Sequence, residues 1–244
     1  MQRIGNRGEE ATAAGVAANC FAWHGEPAQA RAYSDRAVAL ARELTNPFAE
    51  AAALDCRGFV HDQQGAWPQD FGAARRVAEA AGDQFRVYIV NLQESWTHSK
   101  AGNPAAGRAL VEQGLRFAEK IGTVFYLALG KAWLAACAVA LGDGTAPALC
   151  RDALLEAEKT SDRLAQAVAY CALAEALAQD RAAPDRAPAE EAMAETIRLY
   201  KEIEFNPELA RTYVSYARFL QGWGRTAKPN PTAPRPSLCS SRWA

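Results

Sequence analysis

Apolar residues along this chain recur at helical spacing almost without interruption. Phe85, Ile89, Leu92 and Trp96 step by 4, 3 and 4, and Phe125, Leu129, Ala132 and Trp133 fall at i, i+4, i+7 and i+8. Each set lines one face of a helix and reads as core. No stretch sustains the period-2 alternation of a strand, and β-branched residues never cluster. Breakers punctuate the pattern at regular places. WHGEPAQAR (23–31), KAGNPAAGR (100–108) and ALGDGTAPA (140–148) each pair a Gly that ends one helix with a Pro near the start of the next.

These signals predict eleven helices arranged as hairpins. First helices fall at about 8–23, 48–64, 85–100, 124–141, 162–179 and 208–222, and second helices at about 27–44, 69–82, 104–121, 146–160 and 188–203. NPFAE (46–50), DQFRV (83–87), TVFYL (123–127) and NPELA (206–210) supply capping-type residues at helix starts. QDRAAPDRAPAEE (179–191) is the longest connection inside the array.

The hairpins repeat. The turn glycines at 25, 65, 102 and 142 are 40, 37 and 40 residues apart. Seven residues before each stands a small residue, Ala18, Gly58, Ser95 or Ala135, and Ala174 and Ala217 continue the series. Helices that cross closely need a small residue at the contact. A period near 40 marks an α-solenoid of stacked helix pairs. A small residue at the eighth place of each unit, Gly at the fifteenth and Ala near the twentieth, as with Ala30, favour the tetratricopeptide (TPR) type with helices lengthened by about one and a half turns in total. The expected fold is therefore all-α: a right-handed TPR-like α-solenoid over 1–228, with five hairpins and a sixth begun.

Composition narrows the function more than it defines it. The 27 basic and 28 acidic side chains leave a net charge of −1, which carries no electrostatic footprint for nucleic acid or an anionic membrane. No run approaches a membrane helix, and MQRIGNRGEEATAAG lacks the apolar segment of a signal peptide, so a cytoplasmic location is expected. Six cysteines form no CxxC pair. Five sit among helical alanines and read as buried free thiols rather than disulfides or metal ligands.

Apparent catalytic motifs dissolve on inspection. GNPAAGRA (102–109) has Arg and Ala where a phosphate-binding loop needs Lys and a hydroxyl, and no strand precedes it. GDGT (142–145) lacks the further carboxylates of a calcium loop. His61 and His98 hold equivalent places in adjacent units, but no Cys or acidic residue completes a zinc set. Glu190, Glu191, Glu195, Glu202 and Glu204 alternate with Arg198 and Lys201 as a solvated face. No catalytic residue, cofactor or metal is expected, and the chain does not read as an enzyme.

ARAYSDRAVALARELTNPFAEAAAL, GRALVEQGLRFAEKIGT and ETIRLYKEIEFNPELARTYVSYARFLQGWGR resemble the long-TPR region at the C-terminal end of large bacterial signalling proteins. Those proteins place a class III adenylate/guanylate cyclase domain, or a transcription-factor domain, before an AAA/STAND-type ATPase and the repeats. The resemblance covers roughly 10–228 and includes none of the family's catalytic or nucleotide-binding motifs. It implies a non-catalytic module for signal transduction, whose partner is a protein, a peptide, or the ATPase or cyclase domains of a parent polypeptide. It also implies that first helices line a groove through places 2, 5, 9, 12 and 13 of each unit. Here these select Asn19 and Trp23, then Asp55, Phe59 and Asp62, then Trp96 and Lys100. Trp96 belongs to the core stripe as well, while Asn91, Glu94 and His98 occupy that unit's expected core places. A freestanding peptide-binding adaptor and a small-molecule-sensing repeat domain are the alternatives.

After Lys228 come four prolines, at 229, 231, 234 and 236, which remove donors and clash with preceding carbonyls. Residues 229–244 read as a disordered Pro-rich tail. The pattern favours truncation or a frame change near Lys228, with an apolar strip on the last helix left exposed.

Overall fold

The computed structural model describes residues 7–66, 69–179 and 186–222, and among them every regular element is an α-helix. In chain order these are α1 (Arg7–His24), α2 (Pro27–Glu43), α3 (Pro47–Gln63), α4 (Gln69–Ala80), α5 (Gln84–Lys100), α6 (Pro104–Ile121), α7 (Leu127–Ala140), α8 (Ala146–Thr160), α9 (Arg163–Gln179), α10 (Ala187–Glu202) and α11 (Asn206–Gly222). None of the described helices is long and apolar enough to cross a membrane. The expected tail over 229–244 and the start of a sixth return helix lie outside the described residues.

Two kinds of turn alternate. Gly25, Gly65, Gly102 and Gly142 take positive φ where a first helix passes to a second. Thr45, Gly82, Gly122, Ser161 and Glu204 do so where a second helix returns to the next first one. At each kind the amide after the left-handed residue reaches back five residues, as in Glu26 to the Phe21 carbonyl at 2.8 Å and Asp83 to the Ala78 carbonyl at 2.8 Å. This is the Schellman geometry, which satisfies carbonyls that a helix end would otherwise leave unpaired. The motif at 102–109 is such a turn, with Gly102 closing α5 and Pro104 opening α6. Caps follow as expected at Asn46, whose Oδ1 accepts from the Phe48 and Ala49 amides at 3.1 and 3.2 Å, and at Asp83, which accepts from Arg86 at 2.9 Å.

The chain divides into two compact units, Met1–Thr97 and His98–Ala244, with the last turn of α5 in the second. In the first unit α1 packs on α2 and α3, and α3 on α4. In the second α7 packs on α8 and α9, and α9 on α10. α1 and α7 thus each contact their own partner and the next first helix. Burial differs between helices: α6, a second helix, buries Gly107, Val111, Gly114 and Ala118 along one face, whereas α5 buries six consecutive residues from Val87 to Leu92.

Small residues set the spacing of the layers. Ala18, Ser95, Ala135 and Ala174 are each 0% exposed. A methyl added at Gly58 would come within 2.7 Å of the Phe71 ring, so α3 and α4 meet at a distance only glycine allows.

The simple stripes need correction. Ile89, Leu92, Leu129, Ala132 and Trp133 are buried, but Phe85 is 40% and Phe125 52% exposed. α7 begins at Leu127 rather than 124 because Tyr126 is left-handed, φ 60°, and Thr123 Oγ1 takes the Phe125 amide in a local turn. That turn swings Phe125 out to stack edge-on against Tyr126. Asn91, which the stripe would leave outside, is 2% exposed. On α11, Tyr213, Tyr216, Ala217 and Leu220 are half-buried, with Tyr216 and Phe219 packed against Ala174, Ala192 and Met193.

Candidate functional site

In the first unit, polar side chains of successive first helices meet one another. The Asn19 amide nitrogen on α1 lies 3.6 Å from Cys56 Sγ on α3. Asp55 on α3 accepts at Oδ2 from Arg86 Nη1 on α5 at 2.9 Å, and from the Gln93 amide at 3.5 Å. One turn pair further along, Thr97 donates from Oγ1 to Asp62 Oδ1 at 3.0 Å.

Asp55 is 2% exposed, and its Oδ1 is enclosed without a hydrogen-bond partner. Burial pushes its pKa up to about 6, and the Arg86 charge only partly opposes the rise. Burial, reinforced by the Asp55 charge, pushes the Cys56 thiol up to about 12, so it carries no thiolate at neutral pH. Free thiols at Cys137 and Cys150 are likewise buried and raised, to about 11 and about 12, whereas Cys20 is exposed, contrary to the expectation of burial.

A second polar group lies between α2, α3 and α4. Arg57 donates from Nη2 and Nε to the two carboxylate oxygens of Asp70 at 2.7 and 3.1 Å, His61 Nδ1 stands 3.0 Å from the same carboxylate, and Asp35 caps the guanidinium at 3.3 Å. Burial alone would raise the Asp70 pKa, but the His61 and Arg57 hydrogen bonds outweigh it and bring the value down to about 2. Among the described residues no group of three or more His, Cys, Asp and Glu side chains is placed to hold a metal ion.

The residues selected from sequence therefore divide by role. Asn19, Asp55 and Asp62 meet partners on the next first helix. Phe59 is half-buried against Ala18, Ala22 and Val60, and Trp23 and Trp96 are half-buried on α1 and α5. Lys100 belongs to the second unit, where Nζ lies 3.3 Å from Glu208 Oε1 at the start of α11.

That contact has further members the sequence did not single out. Arg211, one turn along α11, also donates to Glu208 Oε1, which is only 5% exposed as a residue. Burial would raise the Glu208 carboxyl, but the Arg211 and Lys100 charges hold its pKa below the ordinary value. Cys171 and Tyr200 lie near enough that Glu208 adds to the burial that drives both well up, and burial raises Glu175 too. Counting places from Ala174 and Ala217 puts Cys171, Glu175 and Arg211 at positions 5, 9 and 2, so the groove rule extended to later units reaches them. Glu208 precedes the counted places and is found only through its contacts.

Elsewhere in the second unit a surface cavity of about 560 Å³ opens between α6 and α7. Leu115, Ala118, Leu127 and Leu134 form its apolar floor, and Glu112 and Lys131 stand at its edge. Neither the known protein-family models nor the curated protein sequences give a match to this chain.

Proposed function

We propose that the chain is a non-catalytic, right-handed TPR-like repeat module that binds a protein or peptide partner and serves regulation within a cyclase- or ATPase-type signalling protein. Turns that recur at a near-constant interval and small residues that recur at the helix crossings support the repeat type. The observation that carries the binding role is the set Trp23, Phe59 and Trp96. These are three large aromatics, on three consecutive first helices of the first unit, and each is half-buried, so part of its surface remains open. Aromatic side chains that keep part of their surface open beside fixed polar groups suit capture of an amphipathic segment. The bound partner biases the parent protein toward one state by its differential affinity.

The test is capture of helical and extended peptides by the immobilised chain. Ala substitution at Trp23, Phe59 and Trp96 together should weaken capture by at least about tenfold while helix content stays unchanged. ATP hydrolysis or cyclic AMP formation by the purified chain would overturn the reading.

The cavity between α6 and α7 favours a second reading, a small apolar ligand held between repeats. Thermal-shift screening against metabolites separates the two. A hit abolished by Leu127→Trp, which fills the cavity, supports the second and leaves aromatic-dependent peptide capture unaffected.

A further inference from the structure

α11 is fastened to the second unit differently from the first helices before it. α9 buries seven residues, of which only Gln166 is polar, whereas α11 buries Glu208, Leu209 and Thr212, a single apolar side chain among three. Tyr216 and Phe219 add partial packing against Ala174 and Met193. A polar attachment comes from Lys100, 108 positions earlier in the chain. Its ammonium and the Arg211 guanidinium share the Glu208 carboxylate, which is 7% exposed as a side chain. The Glu208 charge is shielded from water, and removing Lys100 leaves the half-exposed Arg211 alone to compensate it. An element with little apolar burial opens before the rest of its unit. The group that holds α11 is thus also the group whose loss frees it.

We propose that α11 is a strap closed by the Lys100–Glu208–Arg211 ion group, and that breaking the group at Lys100 lifts α11 while α6 to α10 stay folded.

The experiment uses the full chain. Hydrogen exchange is followed at α11 against α7 and α9, and alkylation of the buried Cys137 and Cys150 by iodoacetamide is read by peptide mass spectrometry. Lys100→Met should speed exchange in α11 by about tenfold, with Cys137 and Cys150 unchanged as internal markers of the intact unit. Lys100→Arg should behave as the natural chain, and Arg211→Gln should speed α11 exchange in the same direction as Lys100→Met. Unchanged α11 exchange in Lys100→Met overturns the proposal. So does acceleration shared by α7, α9, Cys137 and Cys150, or loss of the helical signal in both Lys100→Met and Arg211→Gln, since the ion group would then hold the unit rather than a strap.

Discussion

Arg86 Nη1 lies 2.9 Å from Asp55 Oδ2, joining α5 to α3 through a carboxylate that is 2% exposed. The pairing is good, yet the cost of burying the carboxylate exceeds what Arg86 returns, and the Asp55 pKa rises to about 6. A carboxyl that holds its proton more tightly folded than unfolded favours the folded state most where it is protonated. Its contribution therefore falls as pH rises from about 4 to 6. Thermal unfolding across that range should show Asp55→Asn gaining on the natural chain by on the order of 1–3 kcal/mol as pH increases, and a constant difference would contradict the burial argument.

Asp70 works in the opposite sense. Its folded pKa of about 2 lies below the model-peptide 3.8, so its stabilisation is complete above about pH 4 and drains away as pH falls toward 2. At neutral pH Asp70→Asn should cost roughly 2 kcal/mol in urea denaturation. The difference should narrow steadily on acidification, and a double-mutant cycle with Arg57→Met should show coupling between the two positions.

Gly58 and Phe71 test the close approach of α3 and α4. Gly58→Ala forces a methyl to within 2.7 Å of the ring and should destabilise by about 1–3 kcal/mol. Phe71→Leu in that background should recover part of the loss. Gly144→Ala, where nothing lies within 4 Å, is the matched control and should be near neutral in the same urea titration.

Thr45 and Ser161 occupy left-handed turn positions, φ 48° and 54°, where the corresponding turns use Gly82 and Gly122. Side chains with a Cβ are strained there, and glycine is not. Thr45→Gly and Ser161→Gly should each stabilise by about 0.5–1 kcal/mol after the added unfolded-state entropy is counted, and Gly122→Thr should do the reverse. Equilibrium unfolding of the three variants settles the sign.

Much of the fold is local and therefore legible in sequence. Helix starts and stops depend on a Gly that accepts positive φ, a Pro that fits the first turn and a side chain that caps an amide, all within a few residues. The described helices fall within three residues of the positions that pattern predicts. The largest departure, the start of α7, turns on the left-handed Tyr126, a residue type that gives no such warning. Burial was less legible from the stripes: Phe85 and Phe125, which they place in the core, are 40% and 52% exposed, whereas Asn91, at a core place of the repeat register, is 2% exposed.

The candidate site divides along the same line. The groove places that the TPR resemblance implies include Asn19, Asp55 and Asp62, and the structure has each of these meet a partner on the next first helix. The repeat register had no means of pairing Lys100 with Glu208, 108 residues away, or of showing that Arg86 and Thr97 already occupy two of the carboxylates. Local chain stiffness and hydrogen bonding determine helices, turns and period from sequence by itself. Which charges end up enclosed, which partner each one meets and which thiols are shielded were decided only in the tertiary structure, because desolvation depends on every element packed around a group.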